Sequence, residues 1–249
     1  MLKYVIAIVA RSNSQRLPNK ILRKIGETSV LDILIRQVSL IGPNIPVFLV
    51  TSTSPTDDKL AEYAQKKISV FRGDENNLFK RLGEFSSYTK CLNLICVLGD
   101  NPIIDHTLGM KLIQEYEKKD LGYACLLTNE YELVPKSYGR FPIGTRIQII
   151  SSSKVLDVDP NTLIGDYKEH PWKYFSSNIN QNGYSFLPAE GDFKHLDRPD
   201  LNFSINHEKD LKMLNQVNEI LPIDKKVFTL AEVLIALNGK LPGLKSDSA

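Results

Sequence analysis

Cysteine is scarce and unpaired. Cys91, Cys96 and Cys125 are the only three in 249 residues, and no Cys-x-x-Cys joins any of them, which excludes a disulfide scaffold, a zinc ribbon and a thioredoxin-type redox centre. All three lie in or beside apolar, strand-like runs, where reduced, buried, structural thiols are expected. Long apolar runs are missing too: nothing approaches the roughly 20 residues of a membrane span. The apolar start from Tyr4 to Ala10 is too short for a secretory leader with its cleavage site, so a cytoplasmic protein is expected. Nor does one sign of charge prevail. Lys and Arg number 31 against 29 Asp and Glu, for a net charge of +2, and no Lys/Arg run forms a basic stripe, which argues against nucleic acid. Two phosphate-binding signatures are absent as well. The chain has no Gly-x-x-x-x-Gly-Lys-Ser/Thr and no Gly-x-Gly-x-x-Gly, so it is neither a P-loop protein nor a standard dinucleotide binder. It has no internal repeat and no low-complexity segment.

What is present is an alternation of apolar runs and helical periodicities. Strands are predicted at Tyr4 to Ala10, Pro46 to Thr51, Ser69 to Phe71, Leu92 to Leu98 and Tyr123 to Leu127. Helices are predicted near Ser29 to Leu40, Thr56 to Lys67, Asn77 to Thr89 and His106 to Lys119. This is βαβ order, and it implies an α/β fold with a mainly parallel, twisted sheet. After Asn129 the pattern loosens: a strand is expected over Arg146 to Ile150, short helices over Ser151 to Val158 and Asp166 to Phe175, a strand over Leu201 to Ile205 and a helix over Glu208 to Ile220. The length suits one domain over residues 1–240, and the tail from Leu241 onward, 241–249, is expected to fray.

The loop after the first strand concentrates charge. Arg11, Arg16 and Lys20 sit among the small and polar residues Ala10, Ser12, Asn13 and Ser14, with Pro18 stiffening the exit. Small residues let the backbone approach an anion, and the cations supply forked and point-charge donors. A surface loop merely solvated by three cations is the bland alternative. Position favours the anion, because open α/β sheets bind ligands beyond the carboxyl ends of their strands. Asp100 ends another buried run, Cys91 to Leu98, after Gly99. A carboxylate there suits a hard cation such as Mg²⁺, or equally a cap on the turn before Asn101-Pro102.

The loop reads Ala10-Arg11-x-x-Ser14-x-Arg16-Leu17-Pro18-x-Lys20, and in this it resembles the nucleotide-binding signature of the sugar cytidylyltransferases. That superfamily includes the synthetases of CMP-KDO and CMP-nonulosonic acids, and the chain is most similar to its spore coat polysaccharide biosynthesis protein F group. Further blocks follow in that group's order: Val50 to Asp58, Val70 to Arg81, Leu98 to Asp105, Glu169-His170, and Phe203 to Asn206. The resemblance implies a three-layer α/β/α nucleotide-diphospho-sugar transferase-like fold (GT-A/Rossmann-like) with a mainly parallel mixed sheet. Its nucleotide half would span about 1–128 and its acceptor half about 129–240. It implies transfer of CMP from CTP to a sugar or sugar-like acid with loss of pyrophosphate, in surface polysaccharide or glycan biosynthesis, and it allows a homodimer. On the same footing Lys20, Arg16 and Arg11 are the catalytic cations, and Ala10, Ser14 and Ser52 join them around the nucleotide. Asp100 and Asn206 would hold Mg²⁺, and Arg72, Asp74, Arg81, Arg146, Glu169 and His170 would meet the acceptor.

Two departures stand out against the group's pattern. Its second acidic ligand is Asn206 here, in Ser204-Ile205-Asn206-His207, which leaves one carbonyl oxygen in place of a charge, unless Asp210 or a water held by His207 compensates. In Phe141-Pro142-Ile143-Gly144-Thr145-Arg146-Ile147-Gln148 three acidic positions become Ile143, Arg146 and Gln148. Arg146 then points to an acceptor bearing a carboxylate or phosphate, or is a solvated strand residue. Asp74 and Glu75 suit a helix cap as well as an acceptor, and His170 suits a structural role as well as a ligand. Trp172 and Phe175 are expected to pack a helix, and His106, His195 and Asp197 to Asp200 to shape turns. Two other functions stay open: a nucleotide-sugar-binding or regulatory relative impaired in catalysis, and a GT-A-type glycosyltransferase, which would need a clear Asp-x-Asp metal motif.

Overall fold

In the computed structural model, which describes residues 1–14, 16–119, 121–177 and 184–237, seven strands form one sheet. They are β1 (Tyr4–Val9), β4 (Val47–Ser52), β5 (Ser69–Gly73), β6 (Asn93–Leu98), β7 (Tyr123–Leu126), β8 (Ile147–Ser151) and β9 (Tyr184–Leu187), in spatial order β5-β4-β1-β6-β8-β7-β9. Only β8 runs against the rest, pairing antiparallel with β6 and β7, while the other neighbouring pairs are parallel. Both halves of the sequence therefore contribute strands to the same sheet. β1 lies near its centre with all six residues buried, as its run of β-branched residues, covered on both faces, requires.

Helices cover the two faces. Tyr4, Ile6 and Ile8 face one core with α1 (Val30–Val38) and α4 (His106–Glu117). Val5, Ala7 and Val9 face the other with α3 (Leu78–Thr89). Local signals set the helix starts. Ser29, Asn77 and Asp105 each accept a backbone N–H of the first turn of α1, α3 and α4, which satisfies donors that a helix leaves orphaned.

The sequence pattern overreaches in three places. The helix expected over Thr56 to Lys67 is a 3₁₀ turn, Pro55–Asp57, followed by the short α2 (Asp58–Ala64). The one expected over Asp166 to Phe175 divides into a 3₁₀ turn, Gly165–Lys168, and α6 (Pro171–Ser177), since Pro171 disfavours helix at His170 before it and itself suits a first helical position. Leu201 to Ile205 is extended but is not a strand of the sheet. Its backbone bonds to loops instead: Ile143 N–H to the Leu201 carbonyl, Phe203 N–H to that of Ile143, and Ile205 N–H to that of Asp100 at 2.8 Å.

Other elements were not foreseen: the hairpin β2 (Lys24–Ile25) and β3 (Thr28–Ser29), the edge strand β9, a 3₁₀ turn at Gly191–Leu196, and a last helix, α8 (Leu230–Leu237). The remaining helices are α5 (Ser152–Leu156) and α7 (Glu208–Ile220). The three cysteines are free and buried. Among the described residues no helix is long and apolar enough to cross a membrane. The tail 241–249 lies outside the described residues.

Candidate active site

The loop after β1 is held in shape from both sides. The Ser12 carbonyl accepts the N–H groups of Ser14 and Asn19, at 2.9 and 3.0 Å, so the segment closes on itself. Asn19 turns it back at a φ of 55°, a left-handed conformation that Asn tolerates. Leu17 is buried in the core. From outside, Asp57 grips the loop: its Oδ1 accepts the Ser12 N–H at 2.6 Å, while Oδ2 accepts the hydroxyls of Thr51 and Ser52 and the Ser52 N–H. Burial works to raise the Asp57 pKa, yet these hydrogen bonds, led by those from Ser52 and Ser12, outweigh it and hold the carboxyl below its ordinary range.

Gly99 brings the acidic side close. Its N–H bonds the Val9 carbonyl at 2.8 Å, and a Cβ there would meet Ala10 Cβ and Ile21 Cδ1 at 2.7 Å each. Only glycine lets Asp100 come this near the loop. A cleft of about 230 Å³ opens between them, lined by Ala10, Arg11, Ser14, Arg81, Asp100 and Glu169 among others.

Each cation of the loop meets an oxygen of the opposite side. Lys20 Nζ bonds Asp100 Oδ2 at 2.6 Å and the Ile205 carbonyl at 2.9 Å. Arg16 reaches Asn206 Oδ1 at 3.2 Å. Arg11 bonds the Glu75 carbonyl and pairs with Glu169 Oε2, both at 2.6 Å. Arg81, only 1% exposed, also bonds the Glu75 carbonyl, and that of Asp74. Burial, with Arg11 beside it, lowers its pKa to about 10. The structure thus brings together Ala10, Arg11, Ser14, Arg16, Lys20, Arg81, Asp100, Glu169 and Asn206 from five separate stretches of sequence.

Ser52, Arg72 and Asp74, also expected at the site, spend their polar atoms on local structure. Ser52 does not turn its side chain to the cleft: it is 1% exposed and its hydroxyl donates to Asp57. Arg72 braces the end of β4, donating to the Ser52 and Ser54 carbonyls and pairing with Asp58. Asp74 builds the turn into α3, accepting the N–H groups of Asn76 and Asn77 and pairing with Lys80, while Asn77 is the cap. Asp210 caps α7 through the N–H groups of Asn206 and His207, so that oxygen does not replace the missing charge at Asn206.

Arg146 is no solvated strand residue. It is buried, with its guanidinium carbon 3.8 Å from the centre of the Trp172 ring and Nη1 at 3.1 Å from Glu130. Burial opposes its charge, and its neighbours, Glu130 first and then Tyr131, Tyr123 and Cys125, together more than offset this and raise its pKa. His170 is half-buried against Trp172, with ring centres 4.4 Å apart, and burial, aided by Lys173, lowers its pKa and favours the neutral ring. Phe175 stacks on Tyr123, as packing requires. The chain's Asp-x-Asp, Asp157-Val158-Asp159, follows α5 and lies outside the cleft lining; Asp159 turns back on Asn161 N–H. The main residues that the sequence reading missed are Asp57 and Glu130. The hydroxyl-rich run before Asp57, Thr51 to Ser54, is a signal for the first; nothing local marks the second.

Among the described residues no three His, Cys, Asp or Glu side chains group to hold a metal. Mg²⁺ needs less, since it takes one or two protein carboxylates and completes its shell with water and phosphate oxygens. Asp100, part-exposed at the cleft, and the Asn206 amide oxygen nearby fit that mode of binding.

Comparison with known proteins places this arrangement. The chain is 26% identical over 213 residues to the spore coat polysaccharide biosynthesis protein SpsF of Bacillus subtilis (strain 168), covering 83% of this chain and 82% of the relative. Its fold is similar to that of a cytidylyltransferase from Leptospira borgpetersenii serovar Hardjo-bovis (strain JB197), with a TM-score of 0.82 and 22% identity over 96% of this chain and 95% of that one. It is also similar to a CMP:2-keto-3-deoxy-manno-octonic acid synthetase complexed with CTP, with a TM-score of 0.62 and 15% identity over 87% and 98% of the two chains. These likenesses establish the three-layer nucleotidyltransferase fold. The family model for cytidylyltransferases matches residues 5–225, a span that runs from β1 past the Asn206 segment, and the chain therefore belongs to the cytidylyltransferase family of nucleotidyltransferase enzymes.

Proposed function

We propose that the protein transfers CMP from CTP to a sugar or sugar-like acid in the cytoplasm, releasing pyrophosphate, as a step in surface polysaccharide or glycan biosynthesis. A hydroxyl oxygen of the acceptor attacks the α-phosphorus and releases its proton to solvent, the bond to the bridging oxygen breaks, and pyrophosphate departs with the electron pair. The observation that carries this reading is the Lys20 contact: its ammonium sits between Asp100 Oδ2 and the Ile205 carbonyl, with Arg11 and Arg16 in the same loop. Such a displacement asks mainly for alignment and charge neutralisation. Three cations in one loop, facing Asp100, Glu169 and the Asn206 amide oxygen, supply both. Mg²⁺, bound by Asp100 and Asn206, would neutralise phosphate charge further. Lys20, held beside Asp100 at the end of the loop, would neutralise phosphate charge from its own side of the cleft.

Calorimetry with CTP, with and without Mg²⁺, and a pyrophosphate-release assay over a panel of sugar acids test the proposal. CTP binding that tightens with Mg²⁺ is expected, and no binding at millimolar CTP with Mg²⁺ would refute it. In Lys20→Ala, turnover should fall by a factor on the order of a hundred while CTP affinity changes far less, because interactions stronger in the transition state appear in kcat. A second reading rests on Asn206, whose amide oxygen accepts from Arg16 where the group has a carboxylate: a homologue that binds nucleotide or nucleotide-sugar without turnover. Tight binding with no pyrophosphate from any acceptor would favour it.

A further inference from the structure

Buried polar atoms in folded proteins are nearly all hydrogen-bonded, and each exception needs a cause. Among the described residues, one contiguous group concentrates such exceptions: Nε, Nη1 and Nη2 of Arg146, Nε1 of Trp172 and Nδ1 of His170 are buried without a hydrogen-bond partner. The three side chains touch, since Trp172 lies under the guanidinium and against the imidazole. The guanidinium and indole can only donate. A group of donors around a fixed positive charge lacks acceptor oxygens. Glu130 answers part of the charge, but its contact to Nη1 at 3.1 Å falls short of hydrogen-bond geometry and leaves Nε and Nη2 unanswered.

The group lies beside the cleft. Val97 of β6 pairs with Ile147 of β8, so Arg146 comes next to Leu98, and Leu98 and Glu169, the neighbour of His170, both line the cleft with Asp100. We propose that Arg146, Trp172 and His170 form the acceptor's oxyanion subsite, which takes a carboxylate or phosphate group, and that Glu130 is an internal stand-in that the ligand displaces. This deepens the proposed function and rests on it. A forked guanidinium matches two oxygens of such a group at once, and the indole N–H offers a third donor. Glu130 is placed to leave: its side chain is 27% exposed, against 1% for Arg146, so it can turn to water while the cation cannot.

The test uses the full chain loaded with Mg²⁺ and an α,β-methylene analogue of CTP, which blocks transfer. N-acetylneuraminate, glucose phosphate and neutral glucose are titrated by calorimetry, the first two distinguishing carboxylate from phosphate. An acidic probe is expected to bind and glucose not to. Arg146→Met, which keeps the volume and stacking of the stem, should weaken the acidic probe at least tenfold while the CTP analogue binds as before. Glu130→Gln should tighten the acidic probe by a factor on the order of ten, because the competing charge is gone; a purely structural ion pair would lose stability and gain no affinity. The subsite is refuted if no acidic probe binds the loaded wild type, if Arg146→Met leaves probe affinity unchanged, or if Glu130→Gln fails to raise it. Failure of the CTP analogue itself to bind would instead strike the nucleotidyltransferase reading.

Discussion

At the scale of single residues, Asp57 shows how a carboxylate can serve a basic site without entering it. Fully buried, it accepts four hydrogen bonds and ties Ser12 to the end of β4. Asp57→Asn exchanges an acceptor-only group for one that presents an N–H₂ to existing donors, and the resulting unsatisfied groups should cost about 3 kcal/mol. The pH dependence follows from the lowered pKa. The folded carboxyl titrates below its unfolded value near about 4, so its contribution is full above that pH and is lost as pH falls through the folded pKa. Urea unfolding of wild type and Asp57→Asn should therefore differ most at neutral pH and converge in acid. A gap that stays constant from neutral pH into acid would show that the charge of Asp57 does not support the fold.

At the scale of elements, the site depends on two strand ends approaching each other. The contact is made at Gly99, packed on Ala10 and Ile21. Gly99→Ala should push the loop off Asp100, cost about 1–3 kcal/mol in overpacking, and lower CTP affinity more than stability; an unchanged calorimetric titration would show that the loop adjusts freely. This level was also the most legible in the sequence. β1, β6 and the helices capped by Ser29, Asn77 and Asp105 follow from apolar periodicity and caps, and Arg11, Arg16, Lys20 and Asp100 sit at strand ends where a parallel sheet binds ligands. Legibility fails where the partner is remote in sequence. Leu201 to Ile205 has the composition of a strand, but its bonds go to Ile143 and Asp100 in loops. Arg146 reads as an acceptor contact or equally as a solvated strand residue, and only the remote Trp172 and Glu130 show that it is buried. Ser52 and Arg72 sit in the expected blocks, but a neighbouring Asp57 and the carbonyls of Ser52 and Ser54 claim their polar atoms first.

At the scale of the whole molecule, the cations around the cleft are matched by internal oxygens: Arg11 by Glu169, Lys20 by Asp100, Arg16 by Asn206, Arg146 by Glu130. Ligand binding is then an exchange of partners, and its free energy is the difference between two sets of charge contacts. The Arg11–Glu169 pair is the informative one, because it joins the loop after β1 to the turn before α6 and both side chains are about a third exposed or more. Such a pair is worth up to about 1 kcal/mol. Glu169→Gln frees Arg11, so inorganic pyrophosphate with Mg²⁺ should bind roughly two- to fivefold more tightly at low salt, with the gain fading as ionic strength screens the exposed charges. Calorimetry of wild type and variant at two salt concentrations measures this. If Glu169→Gln instead weakens pyrophosphate, Glu169 positions Arg11 for the phosphates rather than withholding it, and the two segments act as one preformed site with no pair to exchange.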